Sequence, residues 1–155
     1  LVANGADVNW KNEKNSIGFM CACYNNHIET VKYLMTIDRI NVNLVNDYGG
    51  SGFYYACLNG KNETVQILLD DARVDLMLSD KNYNWSPLMN AAFNGRTEIV
   101  KRILCASAWR RIDVMQKSTN GKTAIDIAIK NNNIEIVVMF QEYCTNQKET
   151  AKKYC

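Results

Sequence analysis

The chain has 155 residues, of which 47% are hydrophobic and 22% are charged, and its formal net charge is +2. This length suits one ordinary domain with an apolar core, and so small a charge gives no indication of nucleic-acid or membrane binding. No apolar run approaches the ~18 residues of a membrane-spanning helix, and the sequence contains no signal-peptide pattern.

One short pattern occurs four times, at intervals of about 34 to 37 residues. A period of this length predicts a solenoid of stacked units, which presents a long side surface and no obvious catalytic pocket. The copies of the pattern are residues 26–31 (NHIETV), 60–65 (GKNETV), 95–100 (GRTEIV) and 132–137 (NNIEIV).

In chain order, the repeat divides the sequence into six segments. Residues 1–9 are the end of a truncated preceding repeat, with a helix remnant at 1–4, so we expect the chain to be a segment of a longer protein. Each full copy is expected to hold a turn-rich stretch, a short helix, a second helix and a loop. The copies are 10–43, 44–78, 79–115 and 116–144, and a polar tail at 145–155 is expected to extend the last helix.

Local signals predict the ends of the first helices. Ser86 begins one of them, because serine caps a helix N-terminus and the proline that follows it is tolerated in the first turn. Ser51 and Thr123 occupy the same place in their copies, whereas Ile17 cannot cap, and Ser16 is expected to replace it. The first helices end at residues that accept a left-handed conformation, namely Asn26, Gly60, Gly95 and Asn132.

These residues resemble the ankyrin repeat, whose pattern contains Gly-x-Thr-Pro-Leu-His-x-Ala-Ala and Gly-Ala-Asp-Val-Asn. Residues 5–9 match the second element verbatim, and residues 86–92 (SPLMNAA) are close to the first. The resemblance covers nearly the whole chain and implies an all-α ankyrin-repeat solenoid of stacked antiparallel helix pairs joined by β-hairpin-like loops. The family's histidine, which supports the turn by hydrogen bonding, is replaced in every copy, by Met20, Tyr54, Met89 and Asp126.

No pattern predicts catalysis, a cofactor or a metal site, and we expect a protein that is not an enzyme. Residues 120–123 (NGKT) look like the end of a phosphate-binding loop, but that loop needs a glycine where Gln116 stands. The glycine-rich residues 49–52 follow no strand of a βαβ unit. His27 is the only histidine, which excludes a multi-histidine zinc site.

The six cysteines lack the spacing of a disulfide framework. Cys23 and Cys57 occupy one position of the repeat, which Ala92 fills in the third copy. The pattern therefore predicts a small buried side chain at this position. We therefore expect free, mostly buried thiols and a reducing compartment. That compartment is the cytoplasm or nucleus, or a host cell's cytosol if the protein is secreted into one.

Aromatic and apolar side chains gather where solvent would be expected. The resemblance implies that partners contact the loop tips and the first helices, on the concave side. Large exposed apolar groups mark interaction sites, and the alternative is that these side chains pack on each other between copies. The candidate partner-binding residues are Trp10, Tyr24, Tyr48, Tyr54, Leu58, Tyr83, Trp85, Met89 and Phe93.

A second cluster is basic and lies in the loop after the third copy. It comprises Trp109, Arg110 and Arg111, and with Lys101 and Arg102 it makes the C-terminal half basic. Two interpretations stay open: a solvated surface, which is the commoner role of exposed charges, and a secondary contact to an acidic partner.

The sequence favours a non-enzymatic protein–protein interaction module that binds a partner protein through the aromatic concave face of repeats 1–3. An effector-like binder of a host protein is one form that fits, and no membrane, cofactor or homo-oligomer is required. One alternative is a nucleotide or single-stranded nucleic acid stacked on the aromatics beside Lys122 and Lys130. Another is a passive scaffold segment of a longer array.

Overall fold

A computed structural model describes residues 5–145 of the chain. The predicted helix remnant at 1–4 and the predicted tail beyond Thr145 lie outside these residues. Within them the chain forms eight α-helices and no strand, so the all-α prediction is confirmed. The helices are α1 (Gly18–Asn25), α2 (Ile28–Met35), α3 (Gly52–Leu58), α4 (Asn62–Asp70), α5 (Pro87–Phe93), α6 (Thr97–Ala106), α7 (Ala124–Lys130) and α8 (Ile134–Thr145).

Side-chain caps explain where the first helices of the second and third copies begin. The Ser51 hydroxyl accepts the backbone N–H of Tyr54 at 3.2 Å, and the Ser86 hydroxyl accepts that of Met89 at 3.3 Å. Each bond satisfies one of the N–H groups that a helix start leaves without a partner. The helix starts predicted at these two serines are confirmed.

The first copy lacks such a cap. The N-cap of α1 is Ile17, whose side chain makes no capping bond, so the expectation that Ser16 caps this helix is wrong. Ser16 belongs to the preceding loop, where its N–H donates to Asn12 Oδ1 at 2.9 Å and its hydroxyl accepts from Asn46 Nδ2 at 3.3 Å.

The slot of the missing histidine serves a different purpose in the fourth copy. Asp126 accepts the Thr123 N–H at 2.9 Å while the Thr123 hydroxyl accepts the Asp126 N–H at 3.4 Å. This reciprocal capping box lowers the pKa of Asp126, chiefly through the hydrogen bond from the Thr123 backbone. The Thr-x-x-Asp spacing is a sequence signal for a helix start.

The first helices end as predicted, in the left-handed region. The φ angles are 60° at Asn26, 71° at Gly60, 63° at Gly95 and 56° at Asn132. Glycine and asparagine tolerate this conformation better than other residues. The chain therefore reverses direction at the same point of every copy and starts the second helix.

Consecutive helix pairs stack through small side chains. The first helices α1, α3, α5 and α7 pack on one another along the stack, and the second helices form a parallel layer. The alanines between the first helices are all 3% exposed or less, namely Ala22, Ala56, Ala91 and Ala128.

Because each residue range assigned above to a copy contributes one helix pair, we propose those ranges as the repeat units.

Backbone hydrogen bonds tie the loops that precede the first helices. The Asp47 N–H donates to the Lys14 carbonyl at 3.1 Å, and the Lys81 N–H donates to the Tyr48 carbonyl at 3.0 Å. The Thr119 N–H donates to the Tyr83 carbonyl at 2.9 Å in the same way. Each loop is thus held in register with the loop of the preceding copy.

On the edge of the stack opposite these loops, arginine side chains donate hydrogen bonds to backbone carbonyls of the preceding copy. The Arg110 guanidinium donates to the carbonyls of Leu69 (2.6 Å), Asp71 (3.1 Å) and Val74 (2.6 Å), at the C-terminal end of α4. Arg73 donates similarly to the Met35 carbonyl of the first copy, at 2.8 Å. Because its N–H groups are directed at these carbonyls, Arg110 is structural, and its prediction as part of an exposed basic patch is wrong.

The cysteines follow the expectation only in part. Cys21, Cys23, Cys57 and Cys144 are free, and of these Cys23 and Cys57 are buried whereas the other two are exposed. Cys105 is disulfide-bonded, so the expectation that all six thiols are free is wrong at this position.

The buried thiols should react slowly with a thiol reagent. Burial, with a smaller contribution from Cys21, raises the pKa of Cys23 to about 12, and burial raises that of Cys57 well above its ordinary value. The reactive thiolate is therefore scarce at pH 8. In a timed alkylation read by peptide mass spectrometry, we expect Cys21 and Cys144 to be modified first and the two buried cysteines only as the protein unfolds. Equal rates for all four native thiols would contradict this.

Removing the Arg110 side chain should destabilise the fold. Arg110→Ala leaves three carbonyls without their charged donor, and we expect it to lower the free energy of unfolding by about 2 kcal/mol, the scale of a charge-assisted hydrogen bond. The matched control is the adjacent, exposed Arg111, whose replacement by alanine should change that energy by less than about 0.5 kcal/mol. Urea denaturation of both variants measures the difference, and equal midpoints would exclude the structural role.

Candidate functional site

The first helices of the second and third copies and the loops of the second, third and fourth copies line a groove of about 380 Å³. Side chains from the three loops form its walls, and side chains of α3 and α5 form its floor. We call it the aromatic groove, and its lining residues are Tyr48, Tyr54, Asp80, Asn82, Tyr83, Trp85, Asn90 and Asn120. Four of the nine predicted partner-binding residues meet here.

The carboxylate of Asp80 shapes the third loop. Its Oδ1 accepts the N–H groups of Asn82 (2.9 Å) and Tyr83 (2.8 Å), and its Oδ2 accepts that of Trp85 (2.8 Å). In the second copy the same position is Asn46, whose single Oδ1 accepts two loop N–H groups at 3.1 Å. A polar residue at the loop start therefore fixes the backbone that carries the aromatic side chains.

The tyrosines at the loop tips project into solvent. Tyr48 is 52% exposed and Tyr83 is 58% exposed. Their backbones bind neighbouring loops, but the tyrosine positions themselves are filled by Lys14 and Asn120 in the other two copies. The fold therefore does not require an aromatic ring at either place.

Tyr54 lies deeper, on the floor of the groove. Its phenol has a pKa raised to about 12, first by burial and then by the negative charge of Asp80, while a hydrogen bond with the Asn90 side chain acts in the opposite direction. The hydroxyl therefore stays protonated at neutral pH and keeps a proton to donate. It is a half-buried polar group facing a cleft.

Trp85 links the groove to the rest of the exposed surface. It is half-buried against the core, and its ring meets Phe93 edge to face, with centroids 5.2 Å apart and an interplanar angle of 61°. Phe93 itself is 45% exposed. Both residues belong to the third copy, so this pair packs within one copy rather than between copies, and part of both rings still faces solvent.

A smaller groove of about 230 Å³ lies between the first and second copies, and Tyr24 and Tyr55 help to line it. Their ring centroids are 6.1 Å apart, and Tyr55 is also 5.4 Å from Tyr54, edge to face. The Tyr55 hydroxyl accepts a hydrogen bond from Asn46 Nδ2 at 2.7 Å. A Cβ on Gly50 would lie 2.6 Å from the Tyr55 ring, so a larger residue at this position would displace the ring from its present place.

Tyr55 and the polar groups of the aromatic groove were not predicted from the sequence. Tyr55 follows Tyr54, and the equivalent position holds Cys21 in the first copy and Asn90 in the third. Comparison of the copies therefore shows no aromatic pattern at this position. The signal available was Asn46 and Asp80 at the starts of the second and third loops, each of which precedes the tyrosine of its loop.

Besides Phe93, three predicted residues line neither groove. Met89 is 1% exposed and packs in the core, so its prediction as a partner contact is wrong: the α5 position directs its unbranched side chain between copies. Trp10 is 68% exposed in the first loop, and Leu58 is half-buried at the end of α3. Trp10 and Leu58 remain candidate partner contacts because of their positions in the repeat.

The basic cluster is dispersed in the structure. Trp109 is 61% exposed and lines a groove of about 300 Å³ with Lys101 and Arg102, on the face of the second helices. Arg111 is exposed, and Arg110 is bound to the carbonyls at the end of α4. What remains is a basic rim on the side away from the aromatic groove.

Across residues 5–145, no group of three or more histidine, cysteine or acidic side chains could hold a metal ion. In the same part of the chain, every helix is too short or too polar to cross a bilayer.

Comparison with known proteins agrees with the architecture. The family model described as "Ankyrin repeats (3 copies)" matches residues 1–80 and 72–151. A protein of Hydra vulgaris, Tyrosine-protein kinase HTK16, is 32% identical to this chain over 77 residues, which are 50% of this chain and 10% of the kinase. The chain thus spans only a small part of this relative. With eight helices stacked in pairs within residues 5–145 and a family match over nearly the full length of the sequence, the chain belongs to the ankyrin-repeat family.

Proposed function

We propose that the protein is a non-enzymatic module that binds a partner protein through one surface of its first three copies. This surface, the aromatic face, comprises Trp10, Tyr24, Tyr48, Tyr54, Leu58, Tyr83, Trp85 and Phe93. The observation that carries the proposal is the exposure of Tyr48 and Tyr83, two rings that the fold does not require. Exposed rings at neighbouring loop tips are best explained by a partner that covers them.

The chemistry of the aromatic face suits a protein partner. Tyrosine and tryptophan are enriched in the cores of protein interfaces, because they bury a large area with few rotatable bonds and carry a polar tip. An anchor of this kind contributes about 2 kcal/mol or more when it is fully covered. Two or three such anchors give a specific complex without a deep pocket.

The family supports a binding module rather than an enzyme. Ankyrin repeats generally serve as protein-interaction modules, and the resemblance to the kinase lies within a tenth of that protein. A form directed at a host protein, as an effector would be, is compatible with the aromatic face.

The nucleic-acid alternative is less well supported. The aromatic groove is lined by Asp80 and three asparagines, with neither lysine nor arginine among its lining residues. A carboxylate beside the rings repels phosphates, whereas single-stranded nucleic acids are held by rings next to basic groups. A passive scaffold segment would not need exposed rings on two adjacent loops.

We also propose a reducing compartment, the cytoplasm or nucleus or a host cell's cytosol. The free thiols of Cys21, Cys23, Cys57 and Cys144 support it, whereas the disulfide of Cys105 opposes it. Alkylation of the protein in intact cells, followed by mass measurement, gives the oxidation state of Cys105 in its own compartment.

Truncating the two loop-tip rings should abolish partner capture while the fold remains. Trp85 is less suitable for this test, because it also packs against the core. We expect Tyr48→Ala with Tyr83→Ala to leave the melting temperature within a few degrees. The same change should weaken a purified partner complex by about 2–4 kcal/mol, the range for interface anchors.

The matched control is Tyr33→Ala, since Tyr33 is 54% exposed but lies on α2, on the other side of the repeat. Proteins captured from source-cell lysate by the wild type are compared quantitatively for the three forms. A partner retained by the control and lost by the double variant supports the aromatic face. If every captured protein is bound equally by all three forms, this surface is not the binding site.

A further inference from the structure

We propose that the aromatic groove binds a cationic side chain of the partner, an ammonium or guanidinium group. This inference rests on the proposed function and specifies which group of the partner enters the groove. It is carried by the combination of four rings and one carboxylate around a single cleft.

The rings provide the apolar and electrostatic part of the site. Tyr48, Tyr54, Tyr83 and Trp85 line the groove from two loops and one helix. The face of an aromatic ring is negative, so a cation within about 6 Å of several rings is attracted to each of them. The same rings cover the apolar stem of a lysine or arginine side chain.

The charge of the groove has the complementary sign. Asp80 is the one charged residue among those that line it, and none of the ion pairs within residues 5–145 involves this carboxylate. Three loop N–H groups hold the carboxylate in place without neutralising its charge. Its field reaches the floor of the groove, where it disfavours ionisation of the Tyr54 phenol.

The size of the groove fits one long side chain rather than a folded element. Its volume, about 380 Å³, lies at the small end of ligand sites. Asn82 and Asn120 also line it, and an amide oxygen accepts hydrogen bonds from ammonium or guanidinium N–H groups. Lysine, methylated lysine and arginine share this chemistry, and the experiment distinguishes them.

The test uses the three indole N–H signals of the ¹⁵N-labelled full chain, assigned by single Trp→Phe variants. The probes are capped tripeptides, Gly-X-Gly, in which X is lysine, trimethyllysine, arginine or the neutral tert-butyl analogue of trimethyllysine. We expect a saturable shift of the Trp85 signal with a cationic peptide, and none for Trp10 and Trp109. The neutral analogue should bind about 5- to 30-fold more weakly than trimethyllysine, the factor that a cation–π contribution gives.

A variant of Asp80 that removes only the charge distinguishes its negative charge from its role as acceptor of the loop N–H groups. Asp80→Asn is suitable because Asn12 and Asn46 accept the loop N–H groups at the same position of the first two copies. We expect it to keep the amide spectrum of the folded chain and to weaken cation binding about two- to fivefold, the scale of one partly screened charge pair. The control is Asp113→Asn, whose carboxylate also accepts a loop N–H but lies outside the groove.

The outcomes discriminate clearly. The tightest of the three cationic peptides identifies the partner's side chain. Equal binding of the neutral analogue, an unchanged Trp85 signal with all cations, or an unaffected Asp80→Asn variant overturns the inference. If the Tyr48 and Tyr83 double variant still loses its partner in that case, the interaction module stands and only the cationic group is wrong.

Discussion

The close packing of successive first helices is the constraint on which the rest of the structure depends. It is possible because the slots between them hold alanine or cysteine, and Ala56 and Cys57 at the centre are fully buried. Close packing of this kind leaves no room for an extra methylene. In the last described copy the second of these slots holds Ile129, which is 57% exposed because no further described helix pair packs against α7.

This packing brings the loops into register and thereby creates the grooves. Once α3 and α5 are in contact, the Lys81 N–H reaches the Tyr48 carbonyl, and the tips of the two loops become walls of one cleft. The residues that hold the loops, such as Asp80, differ from the residues that face solvent, such as Tyr83. A change at a tip therefore alters the surface without altering the scaffold, which is how one architecture carries many binding specificities.

The sequence predicted the parts of this structure that depend on neighbouring residues in the chain. Helix starts at Ser51 and Ser86 and left-handed stops at Asn26 and Gly60 are decided by local hydrogen bonds and backbone preference, so their residue types are sufficient evidence. The repeat period then predicted how the pairs stack.

The candidate site could be predicted only in outline, because burial in a stack depends on what the adjacent copy presents. Tyr54 and Met89 occupy the same slot, yet the phenol stays half-buried beside Asn90 whereas the thioether fills the core. Arg110 looked like surface charge, but the carbonyls it binds belong to residues about 40 positions earlier. Neither outcome has a signal in the local sequence, since each depends on contacts made across copies.

The regular distance between successive copies would also set the spacing of contacts with any segment bound along the aromatic face. Packed helices are separated by about 8–10 Å, and an extended chain in the polyproline II conformation rises ~9 Å over each turn of three residues. A bound segment of that form would present every third side chain to a successive copy. If the proposed partner lies along the aromatic face, this spacing would favour anchoring side chains that recur with a period of three, independently of the chemistry at any one groove.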